Sequence, residues 1–172
     1  MENLKMALSL RGKKEFKKSN RLLMDLAKQN PGDAVIQYQC AWSLDILGLE
    51  VKAVPYYEAA LKLGLPEEEA KGAYIGLGST YRTIGEYEKS RQTLESGLAK
   101  FPEDKALLVF RAMAFYNLDQ HDLAMESLLK IIAETSKDRD IQSYAKAIEF
   151  YSDKLDKVHI IVIIPKLSTK PG

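Results

Sequence analysis

Few side chains in this sequence could do chemistry, and their spacing argues against a reaction. The two histidines are His121, followed by Asp122, and His159, inside an apolar run. They offer no pair at the helical spacing that would put two imidazoles on one metal ion. His121 and Asp122 are the residue types of a general base and its orienting carboxylate. Neighbouring side chains in a turn do not face each other productively, however, so a solvated turn is the expected reading. Cys40 is the sole cysteine; it excludes an intrachain disulfide and fits a reducing compartment. Its place on an apolar helix face predicts packing as a small apolar group rather than work as a nucleophile. Gly72, Gly76 and Gly78 in GAYIGLGSTY lack the spacing of a phosphate-binding or dinucleotide-binding loop, and close helix packing accounts for them better. No catalytic set, metal or cofactor emerges, and no enzyme is expected.

Composition sets further bounds. The chain of 172 residues is 46% apolar and 28% charged, which suits one domain with a sizeable core. Formal net charge is +1, so the whole molecule gives no long-range argument for nucleic acid or a membrane. One dense basic cluster stands out: Arg11, Lys13, Lys14, Lys17, Lys18 and Arg21. A solvated outer face is its expected role, with an RNA backbone or acidic partner as the alternative. The opening MENLKMALSLRGKKEF lacks the apolar core and cleavage site of a leader and reads as mature protein. The longest apolar run, Val158 to Pro165, is far short of the about 20 residues of a membrane span. A cytoplasmic protein is the expectation.

The elements that position everything else are helix pairs, clearest from Lys71 to Asp104. Tyr74, Leu77 and Tyr81 share one helix face, and Gly78 leaves room for a close neighbour. Gly85 breaks that helix and Tyr87 is expected to re-enter the core. A second helix from about Glu88 turns Leu94, Gly97 and Leu98 back to the first, and Pro102 stops it. This pattern resembles the tetratricopeptide repeat, whose unit of about 34 residues carries W-x2-L-G-x2-Y, A-x3-F and a closing P. Tyr74 stands at the Trp place; Leu77, Gly78, Tyr81 and Pro102 match; Ser90 and Leu94 replace the small and aromatic residues.

The same pattern recurs along the chain. Residues 1–33 form a degenerate first repeat with Met6, Ala7 and Leu10 in the first helix, Gly12 and Phe16 at the turn, and Ser19 and Leu23 facing back. Residues 34–67 form the second, with Asp33 as N-cap, Cys40, Ala41 and Leu44, then Gly48 at the turn, then Ala53, Tyr57, Ala60 and Leu61. Pro55 lies early in that second helix, near its first turn. Leu65-Pro66-Glu67-Glu68-Glu69 reads as a helix start after a longer junction. Residues 71–104 are the third repeat and 105–135 the fourth, where Arg111 replaces the core Leu and Asp119-Gln120-His121-Asp122 replaces the turn glycine. Residues 137–157 predict an amphipathic capping helix with Ile141, Tyr144, Ala145, Ala147, Ile148, Tyr151 and Leu155 near one face; Tyr144, Ala147, Ile148 and Tyr151 have the spacing of half a fifth repeat. The resemblance thus implies an all-α, right-handed superhelical solenoid over residues 1–157.

Residues 158–172 do not belong to the repeat. Val158 and Ile160, Ile161, Val162, Ile163 and Ile164 are β-branched, and Pro165 closes the run, so an extended segment is expected. It would fold back on its own chain or pair with a second copy to give a homodimer, with a disordered tail beyond Pro165.

If the family geometry holds, the concave groove is lined by Leu4 and Leu8, then Tyr38, Trp42 and Asp45, then Ile75, Ser79 and Arg82, then Val109, Met113 and Tyr116. Family members that grip a terminal carboxylate use a clamp of Lys, Asn and Arg whose places here fall on Leu4, Leu8, Gln39, Gly72 and Gly76. That clamp is absent. The expected partner is an apolar peptide or helix of another protein, anchored on Trp42 and Tyr38, with Arg82 and Asp45 fixing polar ends.

Overall fold

The computed structural model describes residues 2–158, and among them nine helices and no strands are found. They are α1 (Glu2–Gly12), α2 (Phe16–Gln29), α3 (Ala34–Asp45), α4 (Glu50–Leu63), α5 (Glu67–Thr83), α6 (Tyr87–Lys100), α7 (Lys105–Asn117), α8 (His121–Thr135) and α9 (Arg139–Tyr151). Turns of three or four residues separate them, so neighbours fold back on each other. Each helix packs mainly on the next, and α5 additionally touches α3 and α7. The result is an all-α solenoid of four helix pairs closed by α9.

Two kinds of turn alternate. Within a pair, one residue takes the left-handed backbone: Lys14, Gly48, Gly85 and Asp119, which lie 34, 37 and 34 residues apart. Glycine meets that requirement without strain, and aspartate tolerates it better than most. The first pair departs from the sequence expectation, because Gly12 ends α1 and Lys14 makes the turn. Between pairs, Asp33 and Asp104 accept hydrogen bonds from the backbone N–H groups of Ile36 and Leu107, each at 3.0 Å, and Asp138 caps α9 in the same way. The junction before α5 lacks such a cap; there Pro66 is followed by Glu67, Glu68 and Glu69, whose charges suit a helix N-terminus. Its extra length is absorbed as a longer helix, since α5 runs 17 residues.

The core runs from Ala7 through Leu23, Cys40, Leu44 and Tyr57 to Leu77 and Tyr81, and continues through Tyr74, Leu94, Leu98 and Leu107. It thins toward the end of the array, where Ala112, Phe115 and Ala124 form a smaller cluster with Leu128. Gly78 does what its spacing predicts: a Cβ there would lie 2.6 Å from Cγ of Leu94 in α6. Gly72 and Gly76 are covered instead by the rings of Tyr38 and Tyr57 from the preceding pair.

Several expectations need correction. Tyr87 opens α6 at 36% exposure rather than re-entering the core, because the first residue of a helix lies at its rim. Met6 is exposed while its neighbour Ala7 is fully buried, which leaves Ser19 room to donate to the Ala7 carbonyl at 2.8 Å. Pro55 sits in the second turn of α4, past the first, and deprives the carbonyl of exposed Val51 of its helical donor; water can serve it there. Arg111 is half-buried, with its guanidinium carbon 5.1 Å from the Phe115 ring centroid, so its stem fills the Leu place while its charge rests on an aromatic face. The closing helix is shorter than expected: it ends at Tyr151, Tyr144 and Tyr151 are exposed on it, and Leu155 lies exposed beyond its end. The expected extended segment of Ile160, Ile161, Val162, Ile163 and Ile164 lies outside the described residues.

One packing consequence can be measured. A Cβ on Gly72 would come within 2.2 Å of the Tyr38 hydroxyl oxygen but 3.2 Å from the ring carbon that bears it. Gly72→Ala alone is expected to destabilise by about 1–2 kcal/mol despite alanine's better helix propensity. Combined with Tyr38→Phe, which removes the clashing oxygen, the alanine should become neutral or stabilising. Additive effects in chemical denaturation of the double variant would refute the contact.

Candidate functional site

The surface formed by the first helices is built from residues at equivalent repeat positions. Arg11, Asp45, Arg82 and Tyr116 stand 34, 37 and 34 residues apart, the same intervals as the left-handed turn residues. Arg11 therefore lies on the first-helix surface, half-buried, rather than on the solvated face expected of the basic cluster. Its guanidinium carbon lies 3.9 Å from the Trp42 ring centroid, and Nη2 donates to Oε1 of Gln39 at 2.6 Å. Nη1 is buried and has no partner among the described residues. Burial lowers the Arg11 pKa, and the nearby Tyr38 and Tyr57 phenols oppose that shift. The repeat phase carried this signal; density of positive charge around it hid it.

Trp42 also meets Tyr38, with ring centroids 6.1 Å apart and planes inclined by 23°. Tyr38 in turn meets Tyr57 at 6.1 Å. Tyr38 is itself buried, so it supports the groove wall rather than lining it, and that burial raises its pKa. Trp42 is the exposed member at 42%, in contact with a cation and with a buried ring.

Asp45 is turned inward. Its carboxylate accepts a hydrogen bond from the Tyr57 hydroxyl at 2.7 Å and from the Thr80 hydroxyl at 3.0 Å. The sequence expected it to fix a ligand's polar end, but a short side chain flanked by two buried hydroxyls is captured by them. Burial pushes its pKa up, and the two donors partly restrain the shift. A raised folded-state pKa means the native state binds the proton more tightly than the unfolded chain. Stability should therefore fall as pH rises from the ordinary carboxylate value through the folded one, with the full cost present above it. Asp45→Asn removes this dependence. Melting temperatures taken from about pH 3 to 7 should move in favour of the variant as pH rises; the opposite trend would show that the donors win over burial.

Farther along, α5, α7 and α8 enclose an open hollow of about 430 Å³. Arg82, Met113 and Tyr116, all expected at the groove, line it together with Ala112, Asn117, His121, Ala124, Met125 and Leu128. Arg82 donates through Nη1 to Oδ1 of Asn117 at 3.5 Å, while its Nε is buried without a partner among the described residues. Met113 is 39% exposed and Tyr116 62%. The α8 residues were missed because the expected groove was drawn from first helices alone. Near the end of the array no further pair covers them. Ile75, Ser79 and Val109 are half-buried, Leu4 and Leu8 likewise, and none of these lines the hollow. Among the residues expected at the groove, the exposed large apolar side chains are Trp42, Met113 and Tyr116.

The remaining reactive side chains have ordinary explanations. Cys40 is fully buried with Sγ 3.5 Å from Sδ of Met24, and burial pushes its thiol up to about 12. His121 is exposed in the first turn of α8, against the Tyr116 ring at 4.8 Å. Among the described residues no group of His, Cys, Asp and Glu could hold a metal ion, and no helix is long and apolar enough to cross a membrane. The places of the carboxylate clamp are filled by Gln39, bonded to Arg11, and by glycines under tyrosine rings.

A stack of helix pairs repeating every 34 to 37 residues defines an all-α repeat scaffold of the kind that carries protein–protein contacts. The chain belongs to the tetratricopeptide repeat family, whose model, described as "Tetratrico peptide repeat", matches residues 34–155. No curated protein matches it. Among solved structures it is similar to MamA residues 41-end from Desulfovibrio magneticus RS-1, at 18% identity and TM-score 0.69, covering 89% of this chain and 87% of that one. A MamA RS-1 ArsTM double mutant gives 18% identity and TM-score 0.69, with 91% and 88% covered. The APC/C hetero-tetramer Cut9-Hcn1 gives 16% and 0.69, covering 85% of this chain and 29% of that one. These likenesses establish the fold.

Proposed function

We propose that this chain is a non-enzymatic, intracellular scaffold, with residues 2–157 acting as one repeat domain that binds an apolar segment of another protein along its first-helix surface. The observation that carries this reading is Trp42: the sole tryptophan, 42% exposed, yet in contact with both the Arg11 guanidinium and the Tyr38 ring. A large aromatic already held in one conformation gives up little entropy on binding, which is what an anchor requires. Met113 and Tyr116 supply a second apolar contact, and Arg11 and Arg82 take the polar ends that were first assigned to Arg82 and Asp45.

The alternative, an RNA or acidic partner on the basic cluster, draws less support. Arg11 is withdrawn to Trp42, and Lys18 pairs with Glu15, although Lys13, Lys14, Lys17 and Arg21 remain exposed.

Because Trp42 is unique, its fluorescence reports on the site. Titration with a panel of synthetic amphipathic peptides rich in Leu and Phe should give saturable blue shifts that persist at high salt. A peptide that binds without perturbing Trp42, and is lost when Lys13, Lys14, Lys17 and Lys18 are neutralised, would overturn the groove reading in favour of the basic cluster.

A further inference from the structure

Helix α9 repeats the spacing of α5. Tyr144, Ala147, Ile148 and Tyr151 correspond one for one to Tyr74, Leu77, Gly78 and Tyr81. In α5 the large members are covered: Tyr74 is 8% exposed, Leu77 5% and Tyr81 7%. In α9, Tyr144 is 67% exposed and Tyr151 52%. The helix rests on α8, with Ile141, Ala145 and Ile148 half-buried along one stripe, and the described chain ends seven residues after Tyr151. It is the first helix of a fifth pair whose second member is missing among the described residues. Phe150, edge-on to Tyr151 with ring centroids 5.0 Å apart, extends the open apolar area.

We propose that the run Ile160, Ile161, Val162, Ile163 and Ile164 of the same chain covers this face in cis, in place of the second helix that a fifth pair would have. The run follows directly where the cover is missing. It carries no charge over five apolar residues, and leaving both it and the Tyr144–Tyr151 face in water would expose two apolar surfaces that can cover each other. Its reach suffices: residues 152–157 turn beside the end of α9, with the Lys154 and Lys157 N–H groups donating to the Tyr151 and Lys154 carbonyls, so the run begins at the Tyr151 end of the face. Its five residues span up to about 17 Å when extended, close to the ~20 Å of the 13-residue α9. So short a tether also sets an effective concentration on the order of millimolar. The chain's own run therefore outcompetes the same run of a second copy at ordinary protein concentrations. The arrangement closes the array at its C-terminal end and keeps a β-prone segment from pairing with other chains.

Amide hydrogen exchange on the full chain tests this. Ile161→Asp with Ile163→Asp, and separately Ala147→Arg at an exposed position of α9, should each speed exchange across residues 141–151 by about tenfold or more. Exchange in α3 and α5 should not change, which shows that the array stays folded, and light scattering should report a monomer. Equal α9 exchange in wild type and both variants would overturn the proposal. Protection of α9 that grows with protein concentration, together with a doubled mass, would also overturn it and assign the face to a second copy.

Discussion

Tyr57→Ala is expected to cost about 4 kcal/mol of stability, a large share of the roughly 5–15 kcal/mol that holds a domain together. The ring is 2% exposed and lies at the junction of the second and third helix pairs. A Cβ on Gly76 would come within 2.5 Å of its hydroxyl oxygen, and the Tyr38 ring centroid lies 6.1 Å from its own. Truncation opens a cavity where α5 approaches α4 most closely, and it also strips Asp45 of one of its two donors. Burial, reinforced by the adjacent Asp45 charge, pushes the Tyr57 phenol up and keeps it a donor at any physiological pH. Tyr57→Phe keeps the ring and loses only that hydrogen bond to a charged group, worth about 1.5–3 kcal/mol. Urea unfolding followed by circular dichroism separates the two. The alanine variant should show the lower midpoint, and because each pair contacts only its neighbours, its transition should split into two as the pairs uncouple. Equal losses in the two variants would mean that the ring itself contributes nothing at this junction.

Trp42→Ala is expected to weaken binding of a groove ligand by about 30- to 1,000-fold, the range of a central aromatic anchor. The fold should lose only about 1 kcal/mol, since the ring is 42% exposed and gives up one stacked ring and one cation contact. Arg11→Ala should produce a smaller loss, about tenfold, by releasing the indole from its fixed orientation. Anisotropy of a labelled peptide reads both variants, because the first of them has no tryptophan. Binding by the Trp42 variant within twofold of wild type would place the anchor elsewhere, with the hollow at Met113 and Tyr116 the next surface to mutate.

The helix pairs were legible in the sequence because the signals that specify them are local. Tyr74, Leu77, Gly78 and Tyr81 share a face through the helical period alone. Asp33 caps the helix that follows it, and Gly48 and Gly85 stop the helices that precede them, each acting within one turn of chain. Asp119 was readable as a turn for the same reason. The candidate site was less legible, because its side chains are directed by residues far away in sequence. Repeat phase puts Arg11, Asp45, Arg82 and Tyr116 in one row, yet four different fates follow. Asp45 is drawn inward by hydroxyls on α4 and α5, 12 and 35 residues away. Arg11 reaches from α1 across to Trp42 on α3, Arg82 leans toward Asn117 on α7, and Tyr116 stays open. Periodicity fixes which face of a helix a residue occupies, and the sequence by itself determined that much. Whether a polar group on that face is captured by a neighbour or left for a partner depends on distances between helices that no local pattern encodes, and only the tertiary structure decided it.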